Sequence, residues 1–93
     1  MKILTVCGSG LGTSFMVEMN IQQLLNEMGV SGVEVDHSDL GSATSDSADV
    51  FFLAKDIAEG GASLGNVVVL DNIIDLVELR TKLTAVLQQY NLL

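Results

Sequence analysis

The chain has 93 residues, with 12 acids against 4 bases and a formal net charge of −8. That balance argues against nucleic acid and anionic membrane surfaces as partners, because phosphate contacts need Lys and Arg. With 4% aromatics and no Trp there is also no stacking platform for bases or sugars. A single cysteine rules out an internal disulfide and fits a reducing compartment. The 48% of hydrophobic residues suffices for one core, with a radius of gyration of about 12 Å. No segment resembles a signal peptide, and none approaches the roughly 20 apolar residues of a membrane-spanning helix. A cytoplasmic protein made of one domain, residues 1–93, is expected.

The first element in chain order is "KILTVC" (2–7), a nearly continuous apolar run that reads as a strand covered on both faces. A glycine-rich loop follows. Over 13–28 the residues Val17, Ile21, Leu24, Leu25 and Met28 fall on one helical face, and Gly29 suits the end of that helix. "VEVDH" (33–37) alternates valines with acids and reads as an edge strand. Short helical pieces are expected at 41–47 and 56–64, on either side of a third strand, "DVFFLA" (49–54). "NVVVLD" (66–71) reads as a fourth strand, again covered on both faces. A last helix over 73–90 follows, with Leu76, Leu79, Leu83, Val86, Leu87 and Tyr90 on one face. Alternating strands and helices imply a three-layer α/β fold with a parallel four-stranded sheet. With strand 2 at an edge the order is 2-1-3-4, a flavodoxin-like arrangement. Function in such sheets lies beyond the carboxyl ends of the strands, which is where Cys7 falls.

The loop after Cys7 reads Gly8, Ser9, Gly10, Leu11, Gly12, Thr13, Ser14 and leads straight into the helix. Glycines allow positive φ, so successive N–H groups can turn inward. The helix adds its own free N–H groups and the positive end of its dipole. The expected product is a cup for a dianion with Cys7 at its base, in a field that favours thiolate over thiol. Ser9, Thr13 and Ser14 can add hydroxyl donors, although Ser9 also suits an ordinary turn and Thr13 or Ser14 a helix cap. A nucleotide-hydrolysing loop would need a Lys that is missing. A dinucleotide fingerprint would need a different glycine spacing, and a thiol redox pair a second cysteine.

The small tyrosine-phosphatase motif is chemically closer: Cys, five residues, Arg, then Ser or Thr. Counting from Cys7 puts Thr13 where the Arg should stand, followed by Ser14. The cup is kept, but the guanidinium that would clamp the transferring phosphoryl group is gone. Hydrolysis should then be slow, and a phosphocysteine could persist until it meets another acceptor.

The "VCGSGLGTS" segment, the chain length and the four-strand order resemble the enzyme IIB subunits of the bacterial phosphotransferase sugar-uptake system (PTS). The resemblance is to the lactose/cellobiose-type superfamily, and within it to the ascorbate and galactitol branch. It implies a phosphotyrosine-phosphatase-like fold and a relay. A phosphohistidine on a IIA protein would load Cys7, and Cys7 would phosphorylate a sugar held by the IIC membrane permease. L-ascorbate is the first sugar suggested, with galactitol or another polyol open. The protein would then be a phosphotransferase, cytoplasmic and peripheral to the membrane through IIC, with Cys7 catalytic and residues 8–14 holding phosphate. No metal or cofactor is called for. The alternatives are a small-phosphatase-like hydrolase and a non-catalytic anion-binding module.

Other residues invite weaker readings. Phe15, Met16 and Met19 fall about 100–160° from the buried stripe of the first helix, beside the loop, and suit a docking surface. His37, with Asp36 and Asp39, makes a poor metal set and is read as a solvated strand end. Asp56 and Asp71 follow strands 3 and 4 on the functional side. They could serve as acid or base, but helix capping is the reading preferred. Arg80 and Lys82 are read as surface residues.

Overall fold

In the computed structural model, residues 1–8 and 12–93 are described. Strand β1 (Lys2–Cys7) runs into helix α1 (Gly12–Met28). Strands β2 (Glu34–Asp39) and β3 (Val50–Ala54) follow. After a 3-10 helix (Lys55–Leu64) come strand β4 (Val67–Leu70) and helix α2 (Leu76–Gln89). All pairings are parallel and the order is β2-β1-β3-β4, as the pattern predicts. The radius of gyration is 11.9 Å.

The period of two along each strand divides the core between the two faces of the sheet. Ile3, Val50, Phe52 and Leu70 point to the face covered by both α-helices, where they meet Val17, Ile21, Leu79, Leu83 and Leu87. Leu4, Val6, Phe51 and Leu53 point to the other face, with Leu64 of the 3-10 helix. That covering segment sits close. A Cβ on Gly61 would lie 2.2 Å from the Leu53 side chain, so the approach requires glycine there. Cys7 has the parity of Ile3 and therefore faces α1.

Helix α1 ends as its sequence suggests, with Gly29 at φ +71° and Val30 N–H donating to the Leu25 carbonyl at 3.0 Å. Helix α2 starts at 76 instead of 73 because Asp75 caps it. Its carboxylate accepts from Val77 N–H at 3.0 Å and Glu78 N–H at 3.1 Å.

Three other expectations fail. Residues 41–47 form turns, not a helix, tied by Thr44 and Ser47 hydrogen bonds. Hydroxyl and aspartate side chains in that stretch bond the backbone locally and compete with helix formation. Strand β4 is not covered on both faces: it is the second edge, and Val67, Val68 and Val69 are only partly buried. Its outer side is occupied by Lys82, whose Nζ donates to the Val69 carbonyl, so this cation has a fold role besides lying near the surface. Finally, neither Asp56 nor Asp71 is a helix cap. The 3-10 helix follows Ala54 with no side-chain cap, and α2 takes Asp75.

Candidate active site

Cys7 closes β1 and is paired in register with Asp39 of β2. Its carbonyl accepts from Leu40 N–H at 2.8 Å, which ties the end of β2 to the end of β1. The residue is only 6% exposed, yet it borders an open cleft of ≈ 230 Å³. That is several times the roughly 30 Å³ a water occupies, so a phosphate-sized ion fits. Gly8 and Thr13 border the cleft on one side, Asp56 and Ile57 at the start of the 3-10 helix on another, and Ile73 from the loop before α2 on a third. No Lys or Arg stands among these described residues.

The first turn of α1 is held from below. Ser14, buried inside the helix, places its Oγ 3.1 Å from Cys7 Sγ. The Thr5 hydroxyl donates to the Ser14 carbonyl at 2.6 Å and lies 3.3 Å from the Asp36 carbonyl. Thr5 thus links β1, β2 and α1 directly under the sulfur, an anchor the sequence reading did not single out. Its signal was a polar residue at a core-facing position of an otherwise apolar strand. Thr13 and Ser14 are the second and third residues of the helix, so neither is its cap.

Ser9, Gly10 and Leu11, assigned to the phosphate cradle, lie outside the described residues. The glycine argument changes at its two ends. Neither Gly8 nor Gly12 has positive φ. Gly8 is required by contact instead, since a Cβ there would lie 2.8 Å from Ile57 Cγ2. Gly12 has open space where a Cβ would stand.

His37 is not a solvated strand end. Its Nδ1 lies 2.5 Å from Glu18 Oε1, and its ring meets Phe15 edge-on with centroids 5.4 Å apart. Glu18 is a carboxylate 9% exposed, also bonded by Gln22 Nε2 at 3.3 Å. The pair pins α1 against the edge strand one turn beyond Ser14. Glu18, Asp36 and His37 come within 4.8 Å of one another, whereas Asp39 is not part of that group. Phe15 and Met19 are exposed as expected, while Met16 is half-buried.

An open parallel sheet in this order, with a cysteine ending its first strand before a helix, is a low-molecular-weight phosphotyrosine-phosphatase-like fold. Among solved structures, the chain is similar to YwlE arginine phosphatase, a cysteine-to-serine mutant with a phosphorylated active-site serine. The TM-score is 0.65 at 18% identity, over 96% of this chain and 97% of that one. No curated protein matches the sequence. The sequence model of the family "PTS system, Lactose/Cellobiose specific IIB subunit" matches residues 2–88, and the chain belongs to that family. It is a phosphoryl-carrying IIB subunit, a phosphotransferase that works with IIA donors and IIC partners. No helix among the described residues is long and apolar enough to cross a membrane.

Proposed function

We propose that Cys7 is the phosphorylated residue of this IIB subunit and that residues 8–14 hold the phosphoryl oxygens. The observation that carries the reading is that Cys7, its sulfur 3.1 Å from a hydroxyl, borders an ion-sized cleft with no cation among the described lining residues. In loading, the Cys7 thiolate attacks phosphorus in line; an S–P bond forms, the P–N bond of the donor phosphohistidine breaks, and imidazole leaves. In unloading, a sugar hydroxyl attacks, the O–P bond forms, and the S–P electron pair returns to sulfur. The hydroxyl proton passes to a base on the acceptor side. Amide N–H groups at the start of α1 meet the equatorial oxygens. Ser14, placed on the sulfur, is suited to receive the negative charge as the thiolate departs.

The sugar proposed first is L-ascorbate, with galactitol or another polyol next, acquired through the IIC permease. Phe15, Met19 and the half-buried Met16 are assigned to docking. The unit of function is the domain 1–93, working in the cytoplasm against the inner face of the membrane. Neither metal nor cofactor enters this chemistry.

The phosphatase reading draws on the shared fold with an arginine phosphatase. It lacks a guanidinium to bear the charge of the transition state for attack by water. Incubation with a phosphorylated IIA protein, followed by intact mass, separates the readings. Wild type should gain one phosphoryl group and keep it for minutes, and Cys7→Ala, which has no nucleophile there, should gain none. Cys7→Ser is not the control to use, because the serine of the similar arginine phosphatase mutant is itself phosphorylated. Rapid loss of the group to water, with turnover of an aryl phosphate, would establish the hydrolase instead. A wild type that gains no phosphoryl group but still binds inorganic phosphate would leave only an anion-binding module.

A further inference from the structure

We infer that the apolar rim at the start of α2, formed by Ile74, Leu76 and Val77, is the seat of the permease, and that it receives a Lys/Arg-rich cytoplasmic surface of that protein. The inference rests on the carrier reading above and adds which face meets the acceptor side.

Among the described residues, the large apolar side chains left exposed are Phe15, Met19, Ile74, Leu76, Val77 and Leu93. Ile74 is 69% and Val77 75% exposed. Folding does not ask for them, since α2 already buries Leu79, Leu83, Val86 and Leu87 on its inner side. The rim is continuous with the site, because Ile73, next to Ile74, borders the Cys7 cleft. It also continues over the surface. Leu76 and Val77 form one bank of a groove of ≈ 310 Å³ whose other bank is Asn20 and Gln23 of α1.

Charge selects the occupant. Asp71 and Asp75 flank the rim and are exposed, as is Asp56 in the cleft. The nearby cations of α2 are engaged, Arg80 with Glu27 at 2.8 Å and Lys82 with Glu78 at 2.7 Å, while the exposed Lys55, which lines one hollow with Asp56 and Asp71, offsets one of the three acids. An apolar centre with an acidic border complements an apolar surface bordered by Lys and Arg. Cytoplasmic loops of membrane proteins carry such an excess. The net charge of −8 opposes both anionic lipid headgroups and a second copy of the chain, and of the two protein partners the permease is the one whose cytoplasmic loops carry an excess of Lys and Arg. A loaded Cys7 carries a charge of roughly −1.5 to −2, like other protein phosphates, against at most −1 on the free thiolate. The loaded carrier is thereby drawn to a basic acceptor more strongly than the spent one.

The test keeps the two partners apart, using the full chain and the variants Val77→Lys and Val77→Glu. Loading by phosphorylated IIA is followed by intact mass. Binding is followed by co-sedimentation with inverted membrane vesicles that contain IIC and with control vesicles that lack it. Circular dichroism and Tm should be unchanged, since the side chain is mostly in water. Wild type should pellet only with IIC vesicles and be released by salt. Val77→Lys should weaken pelleting by about tenfold and Val77→Glu by less, with loading kept within about twofold. Pelleting with control vesicles, loss of loading in step with binding, a stronger effect from Glu than from Lys, or a dimer that Val77→Lys dissolves would each overturn the proposal. A wild type that gains no phosphoryl group overturns the carrier reading itself, and this assignment with it.

Discussion

The 3.1 Å between Ser14 Oγ and Cys7 Sγ determines what that hydroxyl can do. A group this close to sulfur answers to the charge on sulfur before it answers to the phosphoryl oxygens. On the proposed assignment of Cys7 as the phosphorylated residue, sulfur regains a full negative charge as the S–P bond breaks, and a hydrogen bond to a charged group is worth about 1.5–3 kcal/mol. Ser14→Ala removes that donor while leaving the Thr5 contact, which goes to the Ser14 backbone carbonyl. Transfer from loaded Cys7 to the acceptor should slow by about tenfold or more, since 1.36 kcal/mol of barrier is tenfold in rate. Loading should suffer less, because there the same bond also stabilises the attacking thiolate. Rapid-quench measurement of the two half-reactions tests this. Equal rates for wild type and variant would remove Ser14 from the mechanism. The sequence made this hydroxyl visible as one of several near Cys7, but not its task. Which of Ser9, Thr13 and Ser14 reaches sulfur depends on where the helix begins, and the Gly-rich segment has no periodicity from which to read that.

The segment between β4 and α2 shows how one side chain sets the position of a whole element. Glu78, in the first turn of α2, reaches back to accept from Asp71 N–H at 2.7 Å and Asn72 N–H at 2.9 Å, and takes Lys82 Nζ at 2.7 Å. It thereby fixes the loop that carries Ile73 to the Cys7 cleft. The Lys82 bond and the two backbone donors hold its carboxyl down at about 2, from an ordinary 4.5. A carboxyl lowered on folding stabilises the native state fully above its ordinary value, and that contribution is lost as pH falls through the folded one. The excess stability of wild type over Glu78→Gln should therefore be constant above about pH 5 and shrink towards about pH 2. Thermal unfolding of both proteins across that range measures it; a gap independent of pH would mean the charge is not what holds the loop.

At this scale much was legible. Three apolar strands, one alternating strand and two amphipathic helices fix the sheet order, because their periods differ and parallel crossovers have one hand. What could not be read depends on contacts far apart in the chain. Glu18 and His37 are 19 residues apart and look like two solvated polar residues until α1 is laid on β2. Asp71 reads as a cap until Glu78 takes the loop amides and Asp75 caps the helix. Val67–Val69 look doubly covered because an apolar run shows that a strand is buried, not how completely its neighbours reach it.

Over the whole molecule, one fold serves two chemistries, and counting the phosphatase motif from Cys7 puts a difference between them at residue 13. A phosphatase-like fold catalyses attack by water when a guanidinium grips the transferring group. A carrier needs the phosphoryl group to survive until a partner arrives. Thr13 stands where the phosphatase motif has Arg, and it borders the Cys7 cleft with its side chain exposed, so a longer side chain has room. Thr13→Arg should therefore convert retention into leakage. One hydrogen-bond donor at a transition-state oxyanion contributes about 10²–10³ in rate where it is fully preorganised. A guanidinium without its supporting contacts should give less, so the half-life of the phosphorylated protein in water should shorten by about tenfold. Slow turnover of an aryl phosphate should appear with it, while Thr13→Gln, similar in reach but uncharged, should leave the half-life near that of wild type. The half-life is read by intact mass after removal of the donor. If Arg and Gln behave alike, the missing charge does not account for retention. The candidate would then be Asp56, whose carboxylate borders the same cleft and repels both the phosphoryl oxygens and an approaching hydroxide.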